Sequence, residues 1–315
     1  MHNCKPPGRI LEDWLKPYST TVGNYGHLLL EQQAASDDAL VKAFVPYFES
    51  AHQDAREHFH NQIGIDLHPD ADSTGSHANY PGCLPPTARR GLFGEVMAGM
   101  LTEHYAFVGN HNWEVPIFLF RHHEDVEHYL FALARNPARI RAVFGRFGSD
   151  FLAIELDEKG HVTRYLAGEA KWRKSLTQGV VDKLMLGETV KDENGEKAHS
   201  GRGIWYQLNV DTDIPHGLRQ LQRLLKERDS EVWSAAILSI DKALMLKNST
   251  SIPRTNLVLL SGNGGERREQ GSVFIEWECK PADYKSPHDL QVVELILSNG
   301  ECLIDKIYDS LWNGV

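Results

Sequence analysis

The sequence contains no Cys-x-x-C pair, and its four cysteines, Cys4, Cys83, Cys279 and Cys302, lie far apart. This argues against a cysteine zinc site and against a disulfide scaffold, so a reducing cytoplasm is the expected compartment. No apolar run approaches the length needed to cross a bilayer. The first residues, MHNCKPPGRILEDW, lack the apolar core of a signal peptide. The glycine-rich stretch SGNGGERREQG is a loop and not a phosphate-binding loop, because no Gly-Lys-Ser/Thr ends it. His123-Glu124 followed by His128 fails as a zincin motif, since that spacing takes the two rings off a shared helix face. Positive charge is scarce as well. With a formal net charge of -10, the chain has no long-range attraction for nucleic acid, and phosphate binding would need a local positive field.

What is present is the composition of a globular chain. Its 315 residues, 41% hydrophobic and 24% charged, suffice for one large or two small domains with a proper core. Residues 65–87 are rich in Pro, Gly, Asp and Ser and mark a linker. The boundary is therefore expected there, with residues 1–85 as a helical extension plus linker and residues 86–315 as the main domain. Ser36-Asp37-Asp38 supplies cap candidates for a helix carrying Leu40, Ala43, Phe44, Tyr47 and Phe48 on one face. His58, His60, His68, His77 and Cys83 match no zinc spacing and are expected to be surface groups.

Further on, Arg89 to Phe107 reads as a helix, with Glu95 on or close to its core side beside Leu92 and Val96. Glu114 to Phe120 reads as a strand, and HHEDVEHYLFALARNPARI as a helix broken near Pro137. A helix is expected from Ser175 to Leu186 and another from Ile214 to Asp229. Strands are expected around Trp205–Val210, at Trp233–Ile240, Thr255–Ser261 and Ser272–Lys280, and a helical end from Asp289 to Trp312.

The informative stretch is Gly148 to Lys171. Phe151, Leu152, Ile154 and Leu156 fill one strand, Asp157-Glu158-Lys159-Gly160 forms a turn, and His161 to Lys171 returns. In an antiparallel hairpin this brings Asp150 beside Glu169 and Lys171, which share a sheet face. Two carboxylates and an ammonium there suit a hard cation, Mg²⁺ or Mn²⁺, held by Asp150 and Glu169 with the carbonyl of Ala170. Lys171 would then serve an attacking water or offset charge on a phosphate. Glu278-Cys279-Lys280 repeats the Glu-x-Lys pattern, but no Asp precedes it between Ala243 and Lys280, so it is read as structural. Two basic clusters flank the hairpin: Arg135, Arg139, Arg141 and Arg146 ahead of it, and Arg173 and Lys174 after it.

Asp150 followed by Glu169-Ala170-Lys171 resembles the motif of the PD-(D/E)XK nuclease superfamily, over about Leu92 to Leu186. The resemblance implies an α/β restriction-endonuclease-like core, built as helix, three-stranded mixed sheet, helix and strand. It implies a helix Glu, which Glu95 matches, and Mg²⁺-dependent cleavage of nucleic acid, DNA first and RNA also open. Ser149-Asp150 stands where the literal Pro-Asp would be. Gln178 matches the Gln of one branch, although Asp182 replaces the Tyr that usually follows it. The order of the Gly-Glu helix, Gly-x-Asp strand and Gly-Glu-x-Lys strand is similar to the nuclease subunits of helicase-coupled antiphage defence systems of the Hachiman type, which implies a helicase partner. The alternative is a non-catalytic protein-interaction subunit that keeps the fold.

Overall fold

The computed structural model describes residues 1–63, 80–105, 108–122, 149–191, 196–210, 216–245, 251–265 and 268–312. The chain folds as α/β. A six-stranded mixed sheet runs in the order β1-β2-β8-β7-β4-β3. Its strands are β1 (Leu15–Val22), β2 (Tyr25–Gln32), β3 (Phe151–Leu156), β4 (Val162–Leu176), β7 (Arg254–Gly264) and β8 (Asp289–Leu297). β2, β8, β7 and β4 are mutually parallel, and antiparallel β1 and β3 close the two edges. A small hairpin, β5 (Thr189–Lys191) and β6 (Lys197–His199), lies apart.

Alternation along the parallel strands explains the layers. Leu257 and Leu259 of β7 face a core shared with α2 (Asp38–Ile63), α3 (Pro86–His104) and α8 (Gly300–Ser310). Val258 and Leu260 face the opposite side, against α4 (Gln178–Leu186) and α5 (Ile204–Val210). Next to them, α6 (His216–Asp229) and α7 (Ser234–Met245) cover Leu152, Ile154, Tyr165 and Ala167. Strands buried on both faces read as unbroken apolar runs rather than alternating ones. No helix among the described residues is long and apolar enough to cross a membrane.

Several expectations are corrected. The N-terminal region is not wholly helical. After the short α1 (Gly8–Trp14), β1 and β2 form a hairpin, and β2 pairs with β8 in the main sheet. Tyr25 to Gln32 gives no periodic signal, because Leu28 and Leu30 enter one core and Leu29 the other. Trp233 to Ile240 is helical, not a strand: Ala236, Ile237 and Ile240 are buried while Leu238 is exposed, a helical period. Trp205 to Val210 is likewise helical. Ser272 to Lys280 is irregular, and Asp289 to Leu297 is a strand before the terminal helix. Val115 to Phe120 is buried, but among the described residues the stretch makes only one bridge, Glu114 with Ile154. Pro116 has no N–H to extend a ladder. The helix expected from His122 through Ile140 falls almost wholly outside the described residues.

Candidate active site

The site begins with a mismatch in strand length. β3 pairs with β4 only as far as Gly168, which is opposite Phe151, whereas β7 stays paired with β4 through Leu176. Beyond Gly168 the β3-side edge of β4 has no strand beside it. Asp150 fills the gap. Its own N–H donates to the Gly168 carbonyl (2.8 Å), and its Oδ2 accepts the Ala170 N–H (2.8 Å), the next donor along that edge. A strand residue's N–H and C=O point to the same side, so the Ala170 carbonyl also faces this opened edge. Gly168 is required at the corner, since a Cβ there would lie 1.8 Å from the Phe151 ring.

Lys171 ties the carboxylates together. Its Nζ lies 3.3 Å from Asp150 Oδ2 and makes a close ion pair with Glu169 Oε1. Asp150 Oδ1 takes part in none of these contacts. Glu95 lies on α3, buried, where Gly94 brings the helix backbone near Ala170 and Trp172. Burial first, and then the charge of Asp150, push the Glu169 carboxyl up to about 7. Lys171 pulls it back, and Glu95 adds to the rise. Burial would lower the Lys171 ammonium, but Asp150 and Glu169 outweigh it and hold the group above its ordinary range. Its two ion pairs hold Lys171 as a cation. Two carboxylates share one ammonium, and the charge of Glu95 acts on Glu169, an excess of negative charge that a divalent cation would balance.

The residues present fit such a cation by charge and donor type. Among the described residues no three His, Cys, Asp or Glu side chains form a metal-holding group by themselves. Asp150 Oδ1, a Glu169 oxygen and the Ala170 carbonyl are the candidate donors, and Mg²⁺ ordinarily takes one or two carboxylates with water and substrate oxygens for the rest.

A cleft of about 390 Å³ opens here, lined among others by Glu95, Asp150, Lys171, Arg90, Arg173 and Lys174. Glu169 is not in its wall and reaches the site through Lys171. Arg173, exposed, turns one N–H back to the Trp172 carbonyl (2.8 Å). Lys174 pairs with Glu301 at the start of α8 (3.1 Å), and Arg90 pairs with the same carboxylate (2.6 Å). Gln178 stays out of the cleft, because its amide donates to Asp182 (2.8 Å) and to the Phe274 carbonyl (2.9 Å). Arg135, Arg139, Arg141 and Arg146 lie outside the described residues, as do His68 and His77. Sequence reasoning missed Arg90 and Glu301. Arg90 could have been found from the Arg89-Arg90 pair ahead of Glu95; Glu301 carried no signal, as its distance from β4 in sequence is long.

Behind Glu95 lies a buried polar network. His52, fully enclosed, makes hydrogen bonds with the hydroxyls of Tyr80 (2.9 Å) and Tyr308 (3.1 Å) and stacks on Phe120. Burial raises both tyrosines well above their usual range, and the charge of Glu95 adds to it. No protein-family model matches the chain, and no curated protein matches it.

Proposed function

We propose that the chain is a metal-dependent nuclease that hydrolyses phosphodiester bonds of nucleic acid, DNA in the first instance. The observation that carries this reading is the meeting of Asp150, Glu169 and Lys171 at the open edge of β4, with Glu95 and Arg90 in the same cleft. The element order around it, α3, β3, β4, then a later strand β7 parallel to β4, supports a restriction-endonuclease-like core. Asp150, Glu169 and the Ala170 carbonyl would hold Mg²⁺ or Mn²⁺. That ion, when bound, supplies an activated water and Lewis-acid polarisation of the phosphate. Lys171 presents its ammonium to the charge that develops on the phosphoryl oxygens. Glu95 adds negative charge that favours the cation. Arg90, Arg173 and Lys174 are the cleft's phosphate contacts, and Glu301 tempers two of them. With a net charge of -10 and a tempered patch, the chain suits delivery of the strand by a partner such as a helicase, in a cytoplasmic antiphage setting.

One observation favours a second reading, a non-catalytic subunit of a nucleic-acid-processing complex. Lys171 already engages both carboxylates, as a purely structural ion cluster would. Incubating the purified chain with labelled single- and double-stranded DNA and RNA in Mg²⁺ separates the two. The nuclease reading expects cleavage by the natural chain and none by Glu169→Gln. Cleavage that persists unchanged in Glu169→Gln, or none with any strand in Mg²⁺ or Mn²⁺, would remove it.

A further inference from the structure

A second cavity, of about 340 Å³, lies beside the start of α3, with Arg56, Tyr80, Arg89, Tyr308 and Trp312 in its wall. Its two arginines differ. Arg89 is committed to the protein: Nε donates to the Leu84 carbonyl (3.1 Å), Nη1 to Asp309 (3.0 Å) and Nη2 to the Gly82 carbonyl. The Arg56 guanidinium lies over the Trp312 ring, 4.1 Å from its centroid, and makes no hydrogen bond among the described residues. None of its nitrogens is a buried unpaired group, so its N–H groups face the cavity's open side and are available to an anion. Glu49, the carboxylate whose charge acts on Arg56, is engaged by the Trp312 N–H (2.6 Å). Trp312 itself has φ 55°, a left-handed conformation that bulky residues seldom adopt. Backbone outliers of this kind gather at ligand sites.

The cavity and the cleft share one stretch of helix. Arg89 lines the cavity, and its neighbour Arg90 lines the cleft. Their carboxylate partners, Asp309 and Glu301, stand eight residues apart on α8, about 12 Å along its axis, so the two openings lie within the span of a few nucleotides of one strand. A free-standing Arg stacked on Trp offers an anion contact and a flat surface at once, the pairing by which single strands are held.

We propose that this cavity binds one nucleotide of the substrate strand next to the cleft, its phosphate on Arg56 and its base against the Arg56–Trp312 stack. This rests on the nuclease reading. A free nucleotide offers the same chemistry; adjacency to the cleft favours the strand.

The test is fluorescence anisotropy with a short labelled single-stranded oligodeoxynucleotide in EDTA, across a salt series, with AMP as competitor and with cleavage in Mg²⁺ followed in parallel. Arg56→Gln is expected to weaken strand binding roughly tenfold, the loss of one charge-assisted contact, and to flatten the dependence on log salt by about 0.7. Trp312→Leu is expected to weaken binding without changing the salt slope. Arg56→Lys keeps the charge and should restore the slope; it serves also if Arg56→Gln melts early. AMP, which offers the contacts of one nucleotide only, should displace the strand only at concentrations far above those of unlabelled strand. Unchanged affinity in Arg56→Gln and Trp312→Leu, while the natural chain binds and cleaves, would overturn this site and leave the nuclease reading intact. Displacement by AMP as effective, mole for mole, as that by unlabelled strand would overturn the strand assignment. A natural chain that neither binds nor cleaves any strand would remove the nuclease reading and this inference with it.

Discussion

The two Glu-x-Lys segments, Glu169-Ala170-Lys171 and Glu278-Cys279-Lys280, carry the same charges and end differently. The first lies on a buried strand whose edge opens, and Asp150 turns into the opening to crowd a second carboxylate against Lys171. The second lies in an irregular stretch with Glu278 exposed, and Lys280 settles over the rings of Tyr25 (5.0 Å) and Tyr284 (5.2 Å). The carboxylate that matters near it is Glu294 of β8. Glu294 is fully buried and takes His27 (2.9 Å) and the N–H groups of Phe274 (3.0 Å) and Ile275 (2.9 Å). Glu294 is satisfied by donors and pins a loop to the sheet. Asp150 and Glu169 compete for one ammonium, and Asp150 lines a cleft. A buried carboxylate with its lone pairs filled serves stability; one left short of positive charge is the better candidate for chemistry.

The largest expected effect separates the two lysines. Lys171→Ala should lower the cleavage rate by about 10²–10³, as for loss of one positioned transition-state contact, while Lys280→Ala leaves it near the natural value. A rate assay on both variants decides, and the reverse pattern would move the centre to the other segment. The same contrast should appear in stability with the opposite sign. Glu294→Ala should cost about 3–5 kcal/mol in denaturant unfolding, because it strands buried donors and His27. Glu169→Gln should stay within about 1 kcal/mol of the natural chain, since Lys171 keeps Asp150 and a like-charge contact is removed. If Glu169→Gln proved the more damaging of the two, the cluster would be structural.

Gly168→Ala should destabilise by about 1–3 kcal/mol, as overpacked cores do, by driving Phe151 from the corner that holds Asp150. Equilibrium unfolding beside a cleavage assay checks this, and activity should fall more than stability alone explains. The smallest effect concerns the cleft wall. Glu301→Gln frees Arg90 and Lys174 and should steepen the log-salt dependence of DNA binding by about 1–2, close to one for each phosphate that a freed cation neutralises. An unchanged slope would mean that these groups do not meet phosphate.

Much of the hairpin was legible in the sequence. The turn at Asp157 to Gly160 was readable but the register was not: Leu156 is opposite Val162, and a shift between Glu155 and Leu156 moves the pairing by one, so that Phe151 comes opposite Gly168 and Asp150 reaches the level of Glu169. What could not be read was why the pair is open to a ligand. That depends on β7 outlasting β3 along β4, a tertiary fact. Glu95 was legible only as a carboxylate near an apolar face; the approach of α3 through Gly94 brings it to the site. The β1–β2 hairpin was hidden because β2 is buried on both faces and β1, exposed beyond Leu15, carries Pro17. Trp233 to Ile240 misled for a related reason: a short apolar run fits a strand or a helix, and its neighbours decide. The phosphate track expected on Arg135 to Arg146 lies outside the described residues; among the described ones the cleft's basic groups come from α3, with Arg90, and from the end of β4, with the expected Arg173 and Lys174.

The most direct test of the central claim is Mn²⁺ binding, followed by electron paramagnetic resonance in the presence of a phosphorothioate strand that resists cleavage. The natural chain should bind Mn²⁺ at a site that Mg²⁺ displaces. Asp150→Asn and Glu169→Gln should each lose that site while melting as folded proteins, and Glu278→Gln should keep it. Equal Mn²⁺ binding by the natural chain and Asp150→Asn would contradict the assignment of this cleft as a metal-dependent centre.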